Sequence, residues 1–257
     1  MADRRREYRG NRLPDAVSVL AVCAHPDDES FGLGAALATF ANSGSSTAVL
    51  CFTFGEASTL GAGTPELGQL RAGELADATV ELGVDQVELL DFPDGGLSDQ
   101  PLDQLTGHIQ RVVERLRVDL LLVFDEGGIT GHADHCRATE AAVAIGNEAQ
   151  LPVLAWALSD FVTDSLNQEF GAKFIGRSAQ ELDLLVPVDR RRQHRAIARH
   201  ASQATENPVL RRRLELQGGQ EAFRWLSRPW RPSSLVSTTS HRLQREKGNN
   251  DVSSNHL

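Results

Sequence analysis

Basic charge is in short supply in this chain: its 257 residues carry 26 Lys and Arg against 35 Asp and Glu, a formal net charge of -9. A general nucleic-acid surface is excluded on that ground, because phosphate binding needs a basic footprint. Cysteine is scarcer still. Cys23, Cys51 and Cys136 are scattered and odd in number, so no disulfide framework fits them, and a reducing, cytoplasmic setting is expected. No apolar run approaches the roughly 18 residues that cross a bilayer. The arginine-rich start, residues 1–13, is followed by no apolar core with a cleavage site, so neither a transmembrane segment nor a signal peptide is expected. There is no internal repeat. The dinucleotide fingerprint is also missing: Gly32-Leu33-Gly34 begins one, but its sixth position is Leu37.

What is present is alternation. With 40% hydrophobic residues the chain can bury one sizeable core. Short β-branched, apolar runs at 17–23, 47–53, 87–91 and 119–124 read as buried strands, with weaker candidates at 153–158 and 181–186. Helical spacing fills 30–41, 70–82 (closed by Gly83), 105–116, 137–145 and a long basic stretch, 190–204. Such alternation predicts an α/β fold: a Rossmann-like, doubly wound, mostly parallel sheet with helices on both faces. A single domain is expected over 17–230, with a basic, flexible extension at 1–16. A disordered polar tail is expected at 231–257.

Two polar boxes interrupt this pattern. Ala24-His25-Pro26-Asp27-Asp28-Glu29 follows the first strand, at the carboxyl end where open α/β sheets place ligands. His25 and Asp28 can turn toward one metal ion and leave Asp27 free as a base. Helix-start chemistry accounts for Pro26 and one Asp, but not for His25 or for so many carboxylates in one turn. The fourth strand runs into Asp125-Glu126-Gly127-Gly128-Ile129-Thr130-Gly131-His132-Ala133-Asp134-His135. If the first and fourth strands are neighbours at the switch point, both boxes face one crevice. Two histidines and a carboxylate around one ion, with a position left open, is the composition of a catalytic zinc site.

The pair Ala-His-Pro-Asp-Asp-Glu and Gly-His-Ala-Asp-His resembles the PIG-L/LmbE-type zinc N-deacetylases. Those enzymes act on N-acetylglucosamine conjugates in GPI-anchor, mycothiol and bacillithiol synthesis and on some glycopeptide-antibiotic intermediates. Leu70-Arg71-Ala72-Gly73-Glu74-Leu75, Phe92-Pro93-Asp94-Gly95 and His200-Ala201-Ser202-Gln203 resemble three further family elements, so the likeness runs from Val17 to Gln203. It implies that His25, Asp28 and His135 hold zinc, though nothing in the ligand set separates zinc from iron(II). It also implies Asp27 as general base and a protonated His132 as acid or oxyanion stabiliser, with Asp134 orienting His132. The implied reaction releases acetate from a small amino-sugar conjugate. Two departures stand out: Ala133 replaces a frequent proline, and Thr130 stands where some members carry a tyrosine that serves as an oxyanion donor. An amidase cutting another amide, such as a thiol conjugate, and a non-catalytic metal- or sugar-binding module are the alternatives. Intact Asp27, His132 and Asp134 weigh against the second, since binding alone needs no base.

Other residues keep two readings each. Arg71 reaches a sugar hydroxyl or an anionic aglycone, or else pairs with Glu74 at i,i+3. Asp94 lines the pocket or serves the Pro-Asp-Gly-Gly turn. His200 and Gln203 form a helix rim near the pocket or pack. The runs 190–192 and 211–213 are solvated arginine faces or recruit a phosphorylated or carboxylated substrate. The aglycone pocket is expected from two loops, 55–68 and 160–176. Oligomeric state stays open, a homo-oligomer included.

Overall fold

The computed structural model describes residues 10–61 and 63–228. Residues 1–9 of the expected extension and the whole expected tail, 231–257, lie outside the described residues. The elements run β1 (Ser18–Cys23), α1 (Asp28–Phe31), α2 (Gly34–Asn42), β2 (Ser46–Thr53), α3 (Leu67–Leu82), β3 (Gln86–Phe92), α4 (Leu102–Leu116) and β4 (Leu120–Phe124). They continue as α5 (Gly128–Gly131), α6 (Ala133–Glu148), β5 (Val153–Ser159), α7 (Asp160–Phe170), β6 (Gly176–Arg177), β7 (Leu184–Pro187), α8 (Arg191–Arg199), α9 (Ala201–Ala204), α10 (Pro208–Gln217) and β8 (Gln220–Ser227).

The strands form one sheet in the order β3-β2-β1-β4-β5-β8-β7, with β6 beside β5. Pairings from β3 to β5 are parallel, as expected for a doubly wound sheet, while β8 runs antiparallel to both its neighbours. Because β1 touches both β2 and β4, the chain reverses direction of winding between β1 and β4. Both polar boxes leave the sheet at that switch point.

The two-residue period of a strand explains the layers. In β1, Val19, Ala21 and Cys23 pack on one face with Leu37, Leu75 and Leu82 of α2 and α3. Leu20 and Val22 pack on the other with Leu105, Ile109 and Ala141 of α4 and α6. A central strand buried on both sides has no polar alternation, and each fully buried Val or Leu contributes roughly 1.5–3 kcal/mol.

Four expectations change. The helix foreseen at 30–41 breaks into α1 and α2 at Gly32 and Leu33. Gly32 lies so close to the aromatic wall that a Cβ there would sit 2.3 Å from Phe124 Cε1, so the chain turns away at that point. The segment 160–176, read as a loop, holds α7, which buries Val162, Thr163 and Leu166 on one face and ends at Gly171 in the left-handed conformation. The basic helix foreseen at 190–204 is interrupted at His200, which leaves helical geometry (φ -83°, ψ 55°) to enter the interior. Finally, β8 is a strand that the sequence pattern does not show, because Gln220, Glu221 and Arg224 interrupt its apolar run. Glu221 is nonetheless fully buried, accepting from Arg190 and, at 2.6 Å, from Trp156 Nε1. Among the described residues no helix is long and apolar enough to cross a membrane.

Candidate metal centre and active site

The turn after β1 is built by its own carboxylates. Asp27, at the N-cap of α1, makes no side-chain cap, and Asp28 Oδ2 reaches back to accept from the backbone N–H groups of Ala24 (2.9 Å) and His25 (3.0 Å). Asp27 stands at φ 130°, a conformation that costs a non-glycine residue energy. Its N–H donates to Glu29 Oε2 at 3.0 Å. Glu29 is fully buried and is itself held by the Ser30 hydroxyl and by His200 Nε2, each at 2.6 Å. Burial opposes charging of His200, but the Glu29 carboxylate prevails and raises its pKa. His200 therefore acts from inside the fold to brace the turn that carries Asp27, rather than on a helix rim. Gln203, the other late residue, ties down the 55–68 loop by accepting from the Ser58 hydroxyl at 2.7 Å.

Three donor atoms converge in front of this turn. His25 Nδ1 lies 3.2 Å from His135 Nε2, and His135 Nε2 lies 3.1 Å from Asp28 Oδ1. All three residues offer ligand atoms within 4.8 Å of one another. The first two separations lie near the roughly 3.4 Å edge of a tetrahedron with bonds of about 2.0–2.1 Å, and the third, from His25 Nδ1 to the Asp28 carboxylate, is wider, 4.0 Å to Oδ2. The outward nitrogens are engaged as well: His25 Nε2 meets Asp94 Oδ1 at 3.0 Å and Asp134 Oδ2 at 3.3 Å, and His135 Nδ1 meets the Gly128 carbonyl at 3.1 Å. Partners that take the outer N–H direct the inner lone pair toward a common point, as around metal-ligating histidines. The residues thus fit a divalent metal ion. His25, His132 and Asp134 also lie within 4.8 Å of one another, but there His25 turns its carboxylate-bonded edge inward and His132 Nδ1 is already occupied.

Charge follows from these contacts. Burial works against the His25 cation, yet hydrogen bonds to Asp134 and Asp94 push its pKa up to about 10. Burial alone would raise Asp28, but His135 and His25 hold it well below the ordinary carboxylate range. Asp27 is different: burial raises it to about 6, with the Arg71 guanidinium working the other way.

Several expected residues have other partners than those foreseen. Arg71 is buried, and it bonds Asp27 Oδ2 at 3.0 Å and the carbonyls of Pro26 and Gly55, both at 2.5 Å. Glu74 is not its partner; that carboxylate accepts from the N–H and hydroxyl of Ser202. Asp94 both lines the cavity and supports His25, and its Oδ2 accepts from Ala57 N–H at 2.9 Å. Asp134, fully buried, turns its carboxylate to His25 and to the N–H groups of Gly95 (2.7 Å) and Leu97 (3.1 Å). It meets His132 only through its backbone N–H, which donates to His132 Nδ1 at 3.3 Å. The proton of a neutral His132 therefore sits on Nε2. Burial, then the positive charge of His135 and His25, lowers the pKa of His132. Thr130 lines the same cavity. Within the arginine runs, Arg190 pairs with Glu221, Arg191 with Asp189 and Arg212 with Glu169.

These side chains open onto a cavity of about 540 Å³, lined also by Trp156, Leu210 and Arg213. A buried carboxylate, an imidazole N–H and three converging metal-ligand atoms are the kinds of group that could activate water against a bound carbonyl.

A family model described as PIG-L, GlcNAc-PI de-N-acetylase, matches residues 20–145, which include both polar boxes. The chain is 35% identical over 165 residues to a 1D-myo-inositol 2-acetamido-2-deoxy-alpha-D-glucopyranoside deacetylase of Streptomyces avermitilis, covering 54% of this chain and 56% of that protein. It spans about half the length of the curated relatives it matches. Its fold is similar to that of the N,N'-diacetylchitobiose deacetylase of Pyrococcus horikoshii (TM-score 0.62, 22% identity, 82% of this chain and 84% of that one). It is also similar to a deacetylase of the teicoplanin biosynthesis pathway (TM-score 0.65, 19% identity, 81% and 96%).

Proposed function

We propose that this chain, which belongs to the PIG-L family of LmbE-type deacetylases, is a zinc-dependent hydrolase removing an N-acetyl group from a glucosamine-type conjugate. The proposal places the activity in one domain, residues 17–230, in the cytoplasm; three unpaired cysteines agree with a reducing setting. The observation that carries it is the convergence of His25 Nδ1, Asp28 Oδ1 and His135 Nε2 with Asp27 beside them.

His25, Asp28 and His135 would hold the ion, which when bound supplies Lewis acidity to a carbonyl and acidifies water. Asp27 takes a proton from the attacking water and, as the amide breaks, returns it to the leaving nitrogen. A pKa near 6 suits a group that must do both. His132, with its proton on Nε2, donates a hydrogen bond where negative charge builds on the former carbonyl oxygen; a neutral imidazole serves there. Asp94 and Asp134 orient His25, and Glu29 with His200 keeps Asp27 in its strained turn. Acetate and a free amino sugar leave.

The test is amine release from a panel of N-acetylglucosamine conjugates by protein as purified, chelated, and reloaded with zinc or iron(II). Activity abolished by chelation and restored by metal supports the reading, and the better metal identifies the ion. Metal-loaded, folded protein that binds conjugates without releasing amine would instead be a binding module.

Arg71 gives a prediction with a definite sign. Its positive charge favours the ionised form of Asp27, so Arg71→Met lets burial raise that carboxyl further. The acidic limb of kcat/KM moves to higher pH, and activity at pH 6 falls more than activity at pH 8. An unmoved limb with a raised KM would return Arg71 to the substrate-contact role.

A further inference from the structure

Beside the metal triad the cavity has an aromatic wall whose residues the hydrolysis does not use. It adjoins His135, whose ring meets Phe124 edge-on at a centroid separation of 4.9 Å. Trp156 follows, 5.3 Å from Phe124, and the Arg213 guanidinium lies 4.9 Å over the Trp156 ring. All four residues line the cavity. Gly32 keeps the wall open, since any side chain there would collide with Phe124 and Trp156.

Arg213 is unusual in this setting. It is 5% exposed, and its Nη2 donates to the Phe31 carbonyl while its Nη1 has no hydrogen-bond partner. Burial pushes its pKa down to about 10, which leaves it charged at neutral pH. The Glu221 charge supports it from nearby, but the carboxylate is bonded to Arg190, Trp156 and Gln217 rather than to Arg213. Among the described residues no carboxylate forms an ion pair with Arg213. The other arginine on the cavity, Arg71, is already bonded to Asp27. A buried cation is costly unless paired. Stacking on Trp156 offsets part of that cost, but a ring face offers no acceptor to N–H groups in the guanidinium plane.

We propose that Phe124, Trp156 and Arg213 form the subsite for the group attached to the amino sugar, and that this group is an aromatic or apolar body ending in an oxyanion, a carboxylate or phosphate, received by Arg213. Phe124 and Trp156 give the cavity an apolar lining that suits the apolar body, and a guanidinium suits an oxyanion better than a hydroxyl. The subsite deepens the deacetylase reading, on which it rests for placing the amide at the metal. Arg213 lies on α10, outside the residues matched by the family model.

The experiment measures binding, so it does not depend on turnover. Phenyl, 4-carboxyphenyl and 4-phosphonooxyphenyl N-acetylglucosaminides are titrated calorimetrically into zinc-loaded, full-length D27N. At least one anionic ligand is expected to bind about tenfold or more tighter than the neutral one, and the stronger of the two identifies the oxyanion. Adding Arg213→Met should abolish that preference, and Arg213→Lys should keep part of it. Equal or undetectable binding of all three, or a preference that survives Arg213→Met, overturns the subsite. Should the methionine variant not fold, competition in the wild-type protein decides. Benzoate or phenyl phosphate is expected to displace phenyl N-acetylglucosaminide where phenol does not, and equal displacement overturns the proposal. Amine release from the same compounds by zinc-loaded wild type tests the deacetylase reading separately, because binding preference and turnover can fail independently.

Discussion

Asp27→Asn should lower turnover by about 10²- to 10⁴-fold, the usual worth of a positioned base, while bound metal stays at the wild-type level. The substitution keeps the size of the side chain and an oxygen for the Arg71 guanidinium, which donates to Asp27 Oδ2 at 3.0 Å. It removes only the capacity to take a proton. The metal-binding atoms, on His25, Asp28 and His135, are untouched. Metal content measured by atomic emission, beside acetate release, separates the two effects. A metal-loaded Asp27→Asn variant with wild-type turnover would sink the assignment of the base.

His135→Ala should remove metal and activity together. The ring supplies Nε2 to the triad and bonds Asp28 Oδ1 at 3.1 Å. Its loss therefore deletes one ligand and loosens a second. Even groups that merely support a metal ligand cost about 10- to 100-fold in affinity when removed, and a direct ligand costs more. After dialysis against a weak chelator the variant is expected to hold no stoichiometric zinc and to release no acetate above background. Circular dichroism and thermal unfolding check that it remains folded. Retention of one zinc per chain would move the ligand role elsewhere, with His132 the nearest substitute, since its ring lies 4.9 Å from that of His135.

Much of this was legible along the chain. Residues buried on both faces of a sheet must be apolar without alternation, so β1, β2 and β4 announce themselves. Histidines and carboxylates set immediately after such strands break that pattern too abruptly for ordinary helix-start chemistry. The antiparallel edge was illegible because Gln220, Glu221 and Arg224 look like surface residues; Glu221 is buried only because Arg190, Trp156 and Gln217 come from elsewhere in the chain to bond it. The 160–176 segment looked like a loop for a similar reason. The apolar face of α7 is narrow and means nothing until it has a neighbour to pack against.

Local pattern along the chain was enough for the class of fold, for the two strand ends that meet, and for the residue types available for metal binding and proton transfer. The partners of those residues were settled by long-range packing alone. It gave Arg71 to Asp27 instead of Glu74, the Asp134 carboxylate to His25 instead of His132, and His200 to Glu29. It also set which nitrogen of each histidine faces inward and stacked Arg213 on Trp156. Hydrogen bonds and ion pairs act over about 3 Å between groups that can lie more than a hundred residues apart, and no spacing along the chain encodes that distance.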